Sequence, residues 1–226
     1  MIDIARNQHI NAQLSALYGK YTDSYLAAYI EAFEDANPPH RINEFGIIDE
    51  SRYDADQGIL FVAKETNGWS NEDYESGVLF RTWLKNITQY GLSGHVQRHP
   101  IMWYNIARWA SYINDPTQSI PELADKTPIS EIGKLAFTNM NKVRGESQSV
   151  GPYWSLAYAE ITGNLLREEL AIIQPKMIVC CGTYNEFKHH IPDFSGPVID
   201  MPHPGARIRT EKMLEQLASQ LPKPKA

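Results

Sequence analysis

The chain has 226 residues, 42% of them hydrophobic, which is enough to bury the core of one domain, and it reads as a single domain over residues 1–226. Its net charge of −6 excludes a surface coated in positive charge for nonspecific polyanion binding, while leaving room for a local basic groove. The opening "MIDIARNQHINAQ" lacks the basic-then-apolar pattern of a secretory signal, no apolar run approaches the roughly 20 residues of a membrane span, and the only cysteines are the neighbours Cys180 and Cys181. These features predict a cytoplasmic, monomeric protein with reduced core thiols, no disulfide framework and no cysteine metal site.

Taken in chain order, "LSALYGKYTDSYLAAYIEAFEDAN" has apolar residues at helical spacing and predicts one or two helices ending before Pro38-Pro39, an N-terminal helical segment within residues 1–40 packed on the domain. "ILFVAKETNGWS" follows. Its run Ile59-Leu60-Phe61-Val62 is short, branched and aromatic, as expected of an interior parallel strand covered on both faces. That strand ends on Glu65, where open α/β sheets leave an unfilled crevice for ligands. After a polar loop, "VLFRTWLKNITQYGL" and "IMWYNIARWASYI" read as amphipathic helices, and "KLAFTNMNKVRG" as a strand with a polar end. "YAEITGNLLREELAIIQPKMIVCCG" reads as a long helix broken before Pro175 and followed by an apolar strand. "GPVIDMPHPGARI" is another strand with a polar loop, and "RTEKMLEQLASQL" a closing helix. Strands alternating with helices predict an α/β fold, a three-layer α/β/α sandwich around a mostly parallel sheet.

Three strand ends therefore deliver polar groups to one crevice: Glu65 with Asn67, then Asn139 with Asn141 and Lys142, then His203. The order and form of these segments, "AKETNG", "FTNMNK" and "HPG", resemble the uracil-DNA glycosylase superfamily. In that superfamily a G-x-(D/N)-P motif ends an early strand, an Asn ends a middle strand and a His-Pro-Ser motif begins a late loop. The helix-strand unit "LREELAIIQPKMIVCCG" is similar to the one before that family's last motif, and "GVLF", ending in Phe80, is similar to a segment that supplies a stacking Phe. The resemblance spans roughly residues 57 to 215. This chain departs from the pattern at Ala63 for the Gly, Glu65 for the Asp or Asn, Thr66 for the Pro and Gly205 for the Ser. With two cysteines it lacks the four ligands of the iron-sulfur branches.

The chemistry follows from the residues as well. Breaking a bond between deoxyribose and a base nitrogen places positive charge on the sugar and negative charge on the base. Glu65 supplies the anion and can orient or deprotonate water, and His203 supplies a donor to the departing base. Asn139 offers one acceptor and two donors to a pyrimidine edge, and Phe80, with Trp69 or Tyr74, offers a ring to stack on it. Phe80 with Leu79, Leu84 and Ile87 also fits plain core spacing. A flipped base leaves a void for an apolar or basic side chain, for which Arg207 and Ile208 are candidates; Arg209, Arg144 and Lys142 are the other candidate DNA contacts. Lys64 raises Schiff-base chemistry, but strand alternation predicts that it points away from the side Glu65 faces.

The resemblance thus implies a monofunctional DNA glycosylase acting on single- or double-stranded DNA, needing no cofactor, in base-excision repair or in antiviral defence against phage with modified bases. It also implies an open wall at Asn67, where uracil-specific relatives carry a Tyr, and so a pocket for a base substituted at carbon five. His189, His190 and His99 lack partners at ligand spacing, so no metal is expected. Alternatives are a non-catalytic DNA-binding module on the same scaffold and an N-glycosidase of free nucleosides or nucleotides. The first has no use for a carboxylate near phosphates, and the second needs no basic groove.

Overall fold

The computed structural model describes residues 1–67, 71–91, 100–145 and 151–222. Helix α1 runs over Ile4–Phe33, a single element that starts well upstream of Leu14. Asp3 caps it by accepting the Arg6 N–H at 2.9 Å, and Glu34 ends it in the left-handed conformation (φ 50°) with its N–H on the Ile30 carbonyl. Its buried stripe, Ile10, Leu14, Leu17, Tyr18, Tyr21, Tyr25 and Tyr29, recurs at three and four residues and packs on the body of the protein.

The elements that follow are β1 (Gly46–Ile47), β2 (Ile59–Ala63), β3 (Thr66–Asn67), α2 (Asn71–Glu75), α3 (Phe80–Tyr90), α4 (Pro100–Asn114) and α5 (Ile120–Lys126), then a 3-10 turn over Ile129–Lys134. Next come β4 (Ala136–Asn139), β5 (Arg144–Gly145), α6 (Gly151–Ala157), α7 (Glu160–Ile173), β6 (Met177–Cys181), α8 (Tyr184–His190), β7 (Val198–Met201) and α9 (Thr210–Gln220). The expected strands and long helices are present. The short α2, α5, α6 and α8 were not anticipated, because elements of about two turns or fewer take their stability from packing rather than from a legible apolar period.

The central sheet has the order β1-β4-β2-β6-β7, parallel throughout except for β1, which pairs antiparallel with β4. Register places Phe61 beside Phe137 and Ala63 beside Asn139. β3 and β5 form a separate two-stranded parallel ribbon just beyond the sheet. From β2 the chain moves to β4 on one side and later returns past it to β6 on the other, the reversal at which α/β sheets open a crevice.

Helices surround this mostly parallel sheet in two packing groups, as a three-layer arrangement requires: α3, α4, α5 and α9 with the 3-10 turn, and α1, α6, α7 and α8. Side chains alternate accordingly. Phe61 stacks on Trp109 and Phe137 packs on Trp103, both of α4, whereas Thr138 donates a hydrogen bond toward Glu169 of α7. Strand β2 is buried along its whole length, as a strand covered on both faces must be. Cys180 and Cys181 are free thiols buried in β6, and burial raises the pKa of each. Among the described residues no helix is long and apolar enough to cross a membrane.

Candidate active site

At the carboxyl end of β2 the backbone turns, and the Ala63 and Lys64 carbonyls accept the N–H groups of Met140 (2.8 Å) and Asn141 (2.9 Å). This fastens the loop after β4 to the loop after β2. Glu65 follows, and its side chain lies flat against Gly145: a Cβ on residue 145 would collide with the Glu65 Cγ and Cδ. Only glycine admits the carboxylate there. Glu65 acts electrostatically on the hydroxyls of Tyr25 and Tyr153, whose pKa values are pushed up chiefly by burial. Tyr153, from α6, donates to Glu186 at 3.3 Å.

The end of β4 and the loop after it carry two kinds of buried polar side chain. Lys142 is fully buried and saturated: its ammonium meets Glu169 at 2.8 Å, Thr138 Oγ1 at 2.6 Å and the Asn139 carbonyl at 2.5 Å. Tyr18 donates to the same Glu169. Burial lowers the Lys142 pKa against the pull of Glu169. The Lys142 N–H also donates to Tyr25 Oη, and its carbonyl accepts the Asn43 N–H. Asn139 and Asn141 differ. Asn139 donates to Thr66 Oγ1 at 3.0 Å, which also accepts from Asn43, but the Asn139 Oδ1 is buried without a partner among the described residues. Both side-chain polar atoms of Asn141 are buried and have no hydrogen-bond partner among the described residues.

His203 stands beyond β7. Its Nδ1 accepts the Gly205 N–H at 3.1 Å, so the neutral ring carries its proton on Nε2. Desolvation first, and then the positive charge of Lys64, lower its pKa and favour that neutral form. Gly182 ends β6 at φ 73°, and a Cβ there would sit 3.1 Å from the His203 nitrogen, so the close approach of the two strand ends needs glycine. The Pro204 carbonyl accepts from Asn105 of α4 at 2.7 Å, which pins the His-Pro-Gly loop. Arg207, Ile208 and Arg209 follow, all exposed.

Several expectations change. Lys142 is no DNA contact, because its ammonium is wholly enclosed by Glu169, Thr138 and a carbonyl. Phe80 is core rather than a free stacking face: it is 4% exposed and packs against Phe45, Trp83 and Phe137. Arg144 is a strut, held by Asp35 at 2.7 Å and Asn71 at 2.6 Å, and it walls a surface cleft of about 360 Å³ with Tyr29 and Phe33. Lys64 does not point away: β2 stops at Ala63, so alternation lapses, and the Lys64 ammonium lies 5.6 Å over the Tyr153 ring and within electrostatic reach of His203. Tyr74 is buried, its hydroxyl accepting from the Asn43 amide at 3.1 Å, and is not at an open face. The Asn67 backbone belongs to β3; Trp69 lies outside the described residues.

Sequence reasoning missed Tyr153 and Gly145 and passed over the unpaired state of Asn141. "VRG" carries a glycine signal, but nothing local says that Glu65 rests on it. Among the described residues, no group of three His, Cys, Asp or Glu side chains is placed to hold a metal. No protein-family model matches the chain, and neither does any curated protein or solved structure. Fold and site together define an α/β protein with polar side chains gathered near the carboxyl ends of its parallel strands.

Proposed function

We propose that the protein is a monofunctional DNA glycosylase with a uracil-DNA glycosylase-like fold. It flips a pyrimidine out of DNA and hydrolyses its N-glycosidic bond, leaving an abasic site. The observation that carries this reading is the set of three buried, unpaired amide atoms on Asn139 and Asn141 beside the strand end that bears Glu65. Buried polar atoms left unpaired are uncommon in folded proteins, and a pair of amides gathered at a strand end calls for an outside partner such as a ligand or water. An amide offers the acceptor and donors that the edge of a pyrimidine complements.

The remaining groups fit the charges of the reaction. As the bond between the sugar carbon and the base nitrogen breaks, its electron pair leaves with the base, and the Nε2–H of neutral His203 donates to the base oxygen. Glu65 stabilises the sugar cation and orients a water whose hydroxyl bonds to the sugar carbon; the water's remaining proton goes, by way of the carboxylate, to the departed base. Exposed Ile208, between Arg207 and Arg209, suits the void a flipped base leaves. Asn67 in place of a bulky ring supports a uracil-like or 5-modified substrate, in repair or in defence against modified phage DNA.

The test uses labelled oligonucleotides carrying single uracil or 5-substituted pyrimidines. Strand breaks appearing only after hot alkali support the proposal. Trapping of an enzyme-DNA adduct with borohydride instead identifies a lyase with Lys64 as nucleophile, and no alkali-labile product from any substrate overturns the reading.

A further inference from the structure

Lys64, just past the end of β2, leads into a row of rings that the proposed chemistry does not use. The Lys64 ammonium lies 5.3 Å over Trp154; Trp154 and Tyr158 lie parallel, centroids 6.4 Å apart with 27° between planes; Tyr158 meets His189 edge-on at 5.1 Å. The Tyr158 N–H bonds to the Trp154 carbonyl at 3.0 Å, so the turn of α6 carries both rings on one face. Tyr153, their neighbour, is fully buried and anchors the row, whereas Trp154 is 40% and Tyr158 38% exposed. Single exposed aromatics need no explanation. Two aligned ones, flanked by a lysine and a histidine, do.

We propose that this row is a binding track for single-stranded DNA, on which bases flanking the target nucleotide stack on Trp154 and Tyr158 while Lys64 and His189 lie near the backbone. Three observations select this occupant. The protein is acidic overall, with net charge −6, so it has little general attraction for phosphate, and stacking supplies affinity that does not depend on many cations. Lys64 places a cation directly over Trp154 at one end of the row. A duplex hides its base faces, so only an unpaired strand can use them. The proposal rests on the glycosylase reading in that the bound strand is the one presented to the crevice.

The experiment measures binding of fluorescein-labelled oligothymidylate and of a duplex of equal length by fluorescence anisotropy, for the wild type and for Trp154→Ala, Tyr158→Ala, the double variant, Trp154→Phe and Tyr158→Phe. Melting temperatures and base release are measured on the same preparations. We expect single-strand affinity to fall about fivefold or more for each alanine, to be largely kept by each phenylalanine, and duplex affinity to change little. A double alanine variant that melts like the wild type and binds oligothymidylate equally well overturns the track, assigning the rings to another partner such as a protein. Base release without ring-dependent strand binding removes the track and leaves the glycosylase reading standing. Ring-dependent strand binding without base release does the reverse.

Discussion

At the end of β4 and on the short loop after it, two sets of buried polar groups meet opposite fates. Lys142 is enclosed by Glu169, Thr138 and a carbonyl, with Tyr18 and Tyr25 completing the cluster, so that its cationic group has no use left beyond holding the loop. Asn139 and Asn141 are as deeply buried, yet three of their four side-chain polar atoms have no partner among the described residues. A buried unpaired group costs about 1–3 kcal/mol. Stability therefore explains the lysine and not the asparagines; the saturated cluster holds the unsaturated groups in place.

The largest expected effect breaks the saturated side. Lys142→Met leaves Glu169 buried without its cation and should destabilise by about 3–5 kcal/mol in urea unfolding, with most of the loss recovered when Glu169→Leu is added. Glu65→Gln should reduce base release by at least about a hundredfold in single-turnover assays, with the melting temperature little changed and DNA binding kept or tightened. Gly145→Ala should act through position rather than charge: the added methyl displaces the Glu65 carboxylate and should lower the chemical step by about tenfold or more, leaving substrate affinity near wild type.

Asn141→Ala sharpens the comparison from its other side. It should leave stability unchanged or raise it by up to about 1 kcal/mol, since unpaired groups are removed, while base release falls about tenfold. A clear destabilisation with base release intact would make Asn141 a structural residue like Lys142.

The smallest effect is on pH. Burial lowers the pKa of His190, whose Nε2 contacts the Ala157 carbonyl at 2.8 Å, and partial desolvation with the charge of Lys64 lowers that of the more exposed His203, which contributes less. Below the ordinary histidine value of about 6.5 the unfolded chain binds these protons first, so their contribution to stability is complete above that pH and is lost as pH falls toward the folded values. The urea midpoint should decline between pH 7.5 and 5.5, and a flat or rising midpoint would contradict the assignment.

Strands β2, β6 and β7 were legible because each is an apolar run that ends in polar residues, and α3, α4, α7 and α9 because their apolar period persists for three turns or more. Glu65 and His203 were legible through the segments that carry them. Lys142 was not: next to asparagines at a strand end it resembles a phosphate contact, and its true partner Glu169 lies 27 residues away on α7. Phe80 fitted both a core and a stacking role, and only packing against Phe45, Trp83 and Phe137 decides between them. Lys64 was misdirected by extending strand alternation one residue past the end of β2.

Base release is read by mass spectrometry of the free bases liberated from a panel of normal, deaminated and 5-modified DNAs. The wild type should free one class of pyrimidine, with substituted bases favoured, and Glu65→Gln should free almost none. Binding of these DNAs with no base released by the wild type would contradict the glycosylase reading.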